Sequence, residues 1–172
     1  MPSASALITN TGPLLGLYAA VGSLQPLRVL FPRVIVPFEV NLEMLAGGKT
    51  EFGVDLYRAD SWLEKRGLPT RILPAVGAQV DPGEAAVISL AITEGIAEVC
   101  LDGIAEVCLD DLDARRLGRV LGLRVTGSIG VLLAAKSEGE PIEIRRALDN
   151  MRRQGIWISD GLMRQALLAA GE

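Results

Sequence analysis

The sequence GIAEVCLDGIAEVCLDD, at residues 95–111, decides how the rest of the chain is interpreted. Residues 95–102 are repeated letter for letter as residues 103–110, and Asp111 follows directly. An apolar run that ends in two aspartates is typical of a buried strand that delivers carboxylates to the edge of a sheet. Because the two copies are identical, their own sequences do not show which one forms the strand.

Strand and helix patterns alternate on both sides of the repeat. Short apolar segments at 6–9, 34–36 and 123–126 are predicted strands, and a further strand is predicted at 71–73. This alternation, with no break in composition, predicts a single α/β domain over residues 1–172 with a mainly parallel sheet. Helices are predicted at 11–21, 38–45, 54–66, from 81 past 92, and at 113–121, 128–138, 143–154 and 160–169, the last one capped by Ser159.

The composition excludes several classes of protein. Of the 172 residues, 49% are hydrophobic and 22% are charged, which is typical of a globular chain rather than a disordered one. The net charge of −4 argues against broad electrostatic binding of nucleic acid. The apolar runs are too short for a membrane span and the N-terminus lacks the pattern of a signal peptide, so a soluble, cytoplasmic protein is predicted.

The chain contains no histidine, so the commonest general base and the commonest metal ligand are both missing. Catalysis must therefore depend on carboxylates, lysines, hydroxyl groups or a metal ion. The two cysteines, Cys100 and Cys108, occupy equivalent positions in the two repeat copies. Their even number is a consequence of the repeat, so it indicates no disulfide framework and favours a reducing compartment.

Acidic residues follow the ends of several predicted elements. Glu43 comes shortly after the strand at 34–36, Glu84 begins a helix, and Asp110, Asp111 and Asp113 follow the repeat. Taken one at a time, such residues are more often exposed helix charges. Carboxylates that converge at one sheet edge, however, repel each other unless a cation lies between them, and oxygen ligands suit Mg²⁺ or Mn²⁺.

Two other motifs suggest different functions. The sequence Gly47-Gly48-Lys49-Thr50 resembles a phosphate-binding loop, but it follows a helix rather than a strand and has Glu43 where the first glycine should stand. Asp111-Leu112-Asp113 is similar to the first motif of haloacid-dehalogenase-like phosphotransferases, with Thr126 and Lys136 as later matches. That motif comes late in the chain, and no acidic pair follows at a further strand end, so this resemblance is the weaker competitor.

Taken together, the segments resemble the PIN-domain family, and specifically its prokaryotic toxin-like branch of single-domain proteins. The resemblance implies a three-layer α/β/α fold around a mainly parallel sheet, and many family members are Mg²⁺- or Mn²⁺-dependent ribonucleases. The segments are ITNTGPLLGLYAAVGSLQPLRVLF at 8–31, VIVPFEVNLEML at 34–45, DPGEAAVISLA at 81–91, CLDDLDARRLGRVLGLRVTGSIGVLLAAK at 108–136 and QGIWISDGLMRQALLAAGE at 154–172.

The resemblance also implies a set of site residues. At Asn10 the chain departs from the family pattern, because active PIN nucleases usually have aspartate at this position. The amide keeps an oxygen ligand but loses a charge, which weakens Mg²⁺ binding. Arg115 and Arg116 are expected to meet substrate phosphate, although ordinary surface charge is the plainer interpretation. The family's catalytic and metal-binding cluster falls on Asn10, Glu43, Glu84 and Asp111, with Asp110 as a neighbouring metal ligand and Ser128 as a hydroxyl beside the metal.

The function implied is a metal-dependent endoribonuclease that hydrolyses RNA, with the toxin half of a toxin–antitoxin pair as its biological role. The alternative is a catalytically impaired PIN domain that binds RNA or a protein without cleaving. The partners implied are an RNA substrate, an antitoxin protein and a second copy of the chain in a homodimer. The apolar positions Leu162, Met163, Ala166 and Leu167 could serve such a partner or simply pack on the sheet.

The resemblance also separates the two repeat copies. Only the second copy continues into the family-like segment, so we predict the strand at 106–109 and place Asp102 outside the site. Residues 95–102 then read as a duplicated insertion. They either lengthen the preceding helix, which we favour, or fold back as a hairpin through Asp102-Gly103.

Overall fold

The computed structural model of the chain describes residues 6–98 and 106–172. A five-stranded sheet in the order β3-β2-β1-β4-β5 forms its centre, and all four strand pairings are parallel. Every residue of β1 and β2 is buried; since successive strand residues face opposite sides, both faces of the sheet are covered. The strands are β1 (Leu7–Thr9), β2 (Val34–Val36), β3 (Glu64–Lys65), β4 (Glu106–Cys108) and β5 (Arg124–Thr126).

Helices on both sides of this sheet complete a three-layer α/β/α architecture, as predicted. They are α1 (Thr11–Val21), α2 (Gln25–Leu30), α3 (Phe38–Ala46), α4 (Val54–Ala59), α5 (Pro74–Gly77), α6 (Pro82–Glu98), α7 (Leu112–Val120), α8 (Ser128–Ser137), α9 (Ile144–Arg153) and α10 (Asp160–Ala170). Helix α6 packs against β1 and β4, while α1 packs against α8 and α9. Within the described ranges, none of the helices is long and apolar enough to cross a membrane.

The strand order places a topological switch point at the centre of the sheet. From β1 the chain moves outward through β2 and β3, and it then returns to β4 on the other side of β1. In open parallel sheets, ligands bind outside the carboxyl ends of the strands at such a point. The residues that follow β1 and β4, Asn10 and the Asp110–Asp111 pair, therefore lie at the position where this architecture forms binding sites.

The boundaries of several helices agree with their sequence signals. The Ser159 hydroxyl accepts a hydrogen bond from the Leu162 N–H and caps α10, as predicted. Helix α7 begins at Leu112, one residue before the predicted start, with the Asp111 side chain as its cap. Helix α3 ends at Gly47, whose φ of 74° is in the left-handed region that glycine adopts without strain. Local sequence signals therefore account for these three helix boundaries.

Two predicted elements are wrong. The helix predicted at 54–66 ends at Ala59, because the Asp60 carboxylate accepts hydrogen bonds from the Tyr18 hydroxyl (2.6 Å) and the Trp62 indole (2.9 Å) and fixes a turn there. The chain then pairs with β2 as β3. The strand predicted at 71–73 does not form, since the Leu73 N–H bonds to the Ser89 hydroxyl of α6 instead of to a neighbouring strand.

The second repeat copy supplies β4, as the sequence analysis predicted. Its Cys108 is a free, fully buried thiol, and burial raises its pKa well above the ordinary value. Helix α6 includes residues 95–98, so the described part of the first copy has a helical backbone. Residues 99–102, including Cys100 and Asp102, lie outside the described ranges.

Candidate active site at the carboxyl edge of the sheet

Strands β1 and β4 bring two polar segments side by side. The Asn10 N–H donates to the Cys108 carbonyl at 3.2 Å, which continues the parallel ladder one residue past β1. Asn10 then becomes the N-cap residue of α1, although its side chain makes no capping hydrogen bond. The amide side chain is thus held at the strand edge without being used to begin the helix.

Glu43 reaches the same place from α3. Its Oε2 accepts a 2.6 Å hydrogen bond from the Thr11 hydroxyl, which orients the carboxylate toward the start of α1. Gly83, in the first turn of α6, provides the third wall. A Cβ at Gly83 would lie 2.9 Å from Asn10 Oδ1 and 3.2 Å from Glu43 Oε2, so both oxygens lie directly against this glycine. Residues from α1, α3 and α6 therefore converge on one small space.

Asn10 Oδ1 is buried and has no hydrogen-bond partner. A buried amide oxygen without a partner loses its hydration with nothing in return, which costs about 1–3 kcal/mol. The neighbouring Glu43 carboxylate cannot compensate, because it too is an acceptor. A donor or a cation would satisfy both oxygens together.

Glu84 adds a buried carboxylate to this edge, with only 8% of its surface exposed. Its Oε2 accepts from the Asp81 N–H at 3.3 Å, in the arrangement of a capping box at the start of α6. Burial raises the pKa of Glu84 and the Asp81 hydrogen bond opposes this, while the negative charges of Asp111, Asp81 and Glu43 raise it further. The site therefore disfavours the ionised form of Glu84 unless positive charge is added.

Asp111 and Asp110 are held in two different ways. Asp111 Oδ1 accepts from the Asp113 and Ala114 N–H groups, both at 2.9 Å, and so caps α7. Asp110 Oδ1 accepts from the Ser128 N–H at 2.8 Å. Burial raises the pKa of Asp110, whereas hydrogen bonds from Ser128 and the positive charge of Arg115 oppose that rise.

Ser128 and its neighbour Gly127 tie β5 to this carboxylate. A Cβ at Gly127 would lie 2.8 Å from Asp110 Oδ1, so only glycine allows this close approach. Ser128 is 2% exposed and packs against Gly16 of α1. Its backbone N–H and its hydroxyl are therefore both directed into the protein rather than toward solvent.

The two arginines predicted to meet phosphate lie in different surroundings. Arg115 faces the Asp110 carboxylate, and its Nη1 would be 3.6 Å from a Cβ at Gly127. Its Nε is buried without a hydrogen-bond partner. Arg116 is exposed, forms a 3.5 Å ion pair with Asp113, and lines a separate surface pocket with Gln79. Only Arg115 lies beside the acidic edge.

The donor set fits a hard divalent cation in its chemistry, because every candidate ligand is an oxygen and one of them is an unpartnered buried oxygen. Within residues 6–98 and 106–172, however, there is no group of three or more His, Cys, Asp and Glu side chains arranged to hold a metal ion. Asn10 supplies its oxygen without a charge, so the carboxylates alone form an incomplete set.

Two pockets flank this edge. One, of about 250 Å³, is lined by Thr11, Glu43 and Lys49, and the other, of about 260 Å³, by Asp110, Arg115, Ser128 and Trp157. Ile156 lines both. Thr11, Gly83 and Trp157 were not predicted as site residues. All three lie within the family-like segments, but their positions at this edge depend on contacts between distant parts of the chain.

A comparison with known families agrees with the fold. The family model described as a PIN domain matches residues 6–172 of the chain. This match includes every strand and helix described above. No curated protein and no solved structure gives a significant match.

Proposed function

The chain belongs to the PIN-domain family, and from this premise we propose that it is a divalent-metal-dependent endoribonuclease that hydrolyses RNA phosphodiester bonds. PIN domains are generally nucleases, they bind nucleic acid, and they typically use divalent metal ions. The observation that carries the finer proposal is the unpartnered Asn10 oxygen beside Glu43, at an edge where Glu84 and Asp111 repel each other. A bound cation would contact the Asn10 oxygen and would also offset the repulsion between the carboxylates.

In this proposal Asn10, Glu43, Glu84 and Asp111 hold Mg²⁺ or Mn²⁺ at the sheet edge. Once held there, the ion would supply an activated water and a positive charge next to the phosphate. Thr11 orients Glu43 through its 2.6 Å hydrogen bond, and the capping bond from Asp81 orients Glu84. Asp110, fixed by Ser128, would be a further metal ligand next to these residues.

Substrate phosphate is assigned to Arg115. Its half-buried side chain lines the pocket beside the acidic edge, where a phosphate oxygen can accept hydrogen bonds from the guanidinium. Arg116, which already pairs with Asp113 on the exposed side of α7, contributes only general attraction to the RNA backbone. Arg115→Gln is therefore expected to weaken substrate binding more than Arg116→Gln does.

A fluorescent single-stranded RNA incubated with Mn²⁺ tests the proposal, with Asp111→Asn as the matched variant. Asparagine caps helices as well as aspartate does, so the variant keeps the fold of α7 while it loses the charge. We expect cleavage to fall by at least about 100-fold, because the variant lacks one of the negative charges that would hold the metal ion.

Equal, background cleavage by the wild type and Asp111→Asn would instead establish the second candidate, a PIN domain that binds RNA or a protein without cleaving. The uncharged Asn10 and the incomplete carboxylate set are the observations that favour it. In that case the wild type retains RNA in a filter-binding assay with no dependence on Mn²⁺.

For the biological role, we propose a cytoplasmic toxin restrained by an antitoxin, acting as a homodimer. The resemblance to the toxin-like branch supports it. On α10, Ala166 and Leu167 are buried in the core, which leaves Leu162 and Leu168, 40% and 80% exposed, for a partner. Expression in bacteria should arrest growth, and Asp111→Asn should remove the arrest; growth inhibition by both proteins contradicts the toxin role. Light scattering of the purified chain tests the dimer.

A further inference from the structure

Trp157 is the most exposed large hydrophobic side chain among the described residues, with 84% of its surface accessible. It lies in the connection between α9 and α10, and its neighbour Ile158 is 6% exposed. Tryptophan is among the residues that proteins bury most extensively on average, and an exposed indole loses the stabilisation of that burial. Its exposed indole therefore has an aromatic face that is free to contact a ligand.

The connection that carries Trp157 is fixed on both sides. Gly155 ends α9 with a φ of 82°, and the Ile156 N–H donates to the Met151 carbonyl at 3.1 Å. The Arg152 guanidinium donates to the Ile158 carbonyl at 2.6 Å, and Ser159 caps α10 immediately afterwards. The indole is thus presented on a backbone held by hydrogen bonds, which reduces the entropy lost when a ligand binds.

The indole lies next to the acidic edge. It lines the pocket of about 260 Å³ that also contains Asp110 and Arg115, at the edge of the acidic site. Ile156, one residue earlier, also lines the pocket that contains Glu43. An extended ligand that crosses the carboxyl edge of the sheet from one pocket to the other would therefore pass next to Trp157.

Three chemical features therefore occur together: an accessible aromatic face, a half-buried guanidinium that lines the same pocket, and the Asp110 carboxylate of the acidic edge. We propose that Trp157 stacks on a nucleobase of a single-stranded RNA while Arg115 binds the adjoining phosphate. Every base has a π face, so this contact favours unpaired strands without selecting a sequence. The inference rests on the nuclease function proposed above and adds Trp157 as a residue that binds its RNA.

Fluorescence provides a direct test, because the chain has two tryptophans and the other one is separable. Trp62 donates to Asp60 at 2.9 Å and lies under the Arg28 guanidinium at 5.9 Å, away from this pocket. In Trp62→Phe, Trp157 is the only tryptophan. Titration with an unstructured RNA oligonucleotide, with Ca²⁺ present as a hard cation in place of Mn²⁺, should quench its emission as the base stacks.

The affinity comparison uses Trp157→Ala and Trp157→Phe in the same titration, followed by the anisotropy of a labelled RNA. We expect the alanine variant to bind about tenfold more weakly and the phenylalanine variant to recover most of the affinity. An RNA with abasic positions should show no difference between wild type and Trp157→Ala. Because the side chain is exposed, its removal should leave the melting temperature unchanged.

Affinities of wild type and Trp157→Ala within twofold, or an unquenched Trp157, would overturn the stacking site. If RNA is nevertheless cleaved at the wild-type rate, the nuclease proposal stands and only the stacking inference fails. If RNA binds with the expected tryptophan dependence but is never cleaved, the stacking site stands and the nuclease proposal fails. Absence of RNA binding by the wild type removes both, and would assign the exposed indole to a protein contact.

Discussion

Two glutamates of this protein, Glu84 and Glu172, experience opposite surroundings. Glu172 accepts hydrogen bonds from the Lys136 ammonium at 2.6 Å and from the Arg145 and Ile144 N–H groups at 2.8 Å each, and these hold its pKa at about 2. Glu84 has one 3.3 Å backbone hydrogen bond and carboxylates around it, and its pKa is raised by burial first and by those charges second.

The opposite pKa shifts distinguish a carboxylate that stabilises the fold from one whose charge the fold disfavours. At Glu172 the ionised carboxylate is satisfied by an ammonium group and by the N-terminus of α9, so its charge stabilises the fold. At Glu84 burial and the neighbouring carboxylates oppose the same charge, and the one backbone hydrogen bond from Asp81 counteracts this effect. Titratable groups whose charged form is disfavoured by their surroundings are typical of functional sites. Each prediction below changes one side of this contrast.

The largest expected effect is the loss of RNA cleavage in Glu84→Gln, with Glu172→Gln as the matched control. Both variants replace a carboxylate with an isosteric amide. We expect the first to lower the Mn²⁺-dependent cleavage rate by at least about 100-fold, because a charged metal ligand is lost, and the second to leave the rate unchanged. The rates are measured on the same fluorescent RNA at saturating Mn²⁺. Similar rates for the two variants would mean that Glu84 takes no part in the site.

The next effect concerns Asn10, whose buried oxygen has no partner. Asn10→Asp adds a full charge to the ligand set, so the dissociation constant for Mn²⁺ in calorimetry should fall by about tenfold. Without metal, the added charge near Glu43 and Glu84 should lower the melting temperature. The control is Asn41→Asp on α3, which adds the same charge but keeps the hydrogen bond from the Tyr57 hydroxyl. Unchanged Mn²⁺ affinity in Asn10→Asp would remove residue 10 from the metal site.

A smaller effect is expected from Gly83→Ala. The new Cβ would lie 2.9 Å from Asn10 Oδ1 and 3.2 Å from Glu43 Oε2, so both oxygens must move. We expect Mn²⁺ affinity to fall about fivefold, while alanine's higher helix propensity, worth up to about 1 kcal/mol, offsets the strain in the fold.

Gly161→Ala is the matched control for Gly83→Ala. Gly161 is also the second residue of its helix, and its nearest neighbour would be the Ser159 hydroxyl at 4.0 Å. This variant should bind Mn²⁺ as the wild type does. A Gly83→Ala protein with wild-type affinity would show that the space in front of Gly83 is not where the cation lies.

The sequence predicts the elements on this edge better than the contacts between them. The strand at Val34–Val36 and the cap at Asp111 are encoded locally, by an apolar run and by an aspartate at a helix start. The edge strand Glu64–Lys65 was missed because its charged, half-buried residues lack the apolar pattern of a strand.

Long-range contacts explain the remaining differences. The cap that Glu172 makes on α9 joins residues 27 and 28 positions apart in the chain, and the hydrogen bond from Thr11 to Glu43 joins residues 32 apart. Nothing in the local sequence indicates either partner. The residues of the acidic edge were predictable as a set from the family resemblance, whereas the orphaned Asn10 oxygen and its proximity to Gly83 required coordinates.

The smallest effect is on stability, and it distinguishes the two glutamates by sign. The pKa of Glu172 is lowered from 4.5 to about 2, so its stabilisation is fully present above pH 4.5 and is lost as the pH falls through about 2. At pH 7, Glu172→Gln should therefore lower the free energy of unfolding by about 1 kcal/mol in urea titrations. This difference from the wild type should shrink between pH 4.5 and pH 2.

For Glu84 the pKa is raised, so its stabilising contribution is present at acidic pH and is lost as the pH rises through the folded value. Without metal, Glu84→Gln should therefore increase the free energy of unfolding at pH 7, and this gain should vanish as the pH falls below the ordinary carboxyl pKa of 4.5. The amide can still accept the capping hydrogen bond from Asp81, so the change in charge is isolated from the cap. Destabilisation by both substitutions at pH 7 would mean that the acidic edge is satisfied within the protein itself, and the electrostatic case for a bound cation would fail.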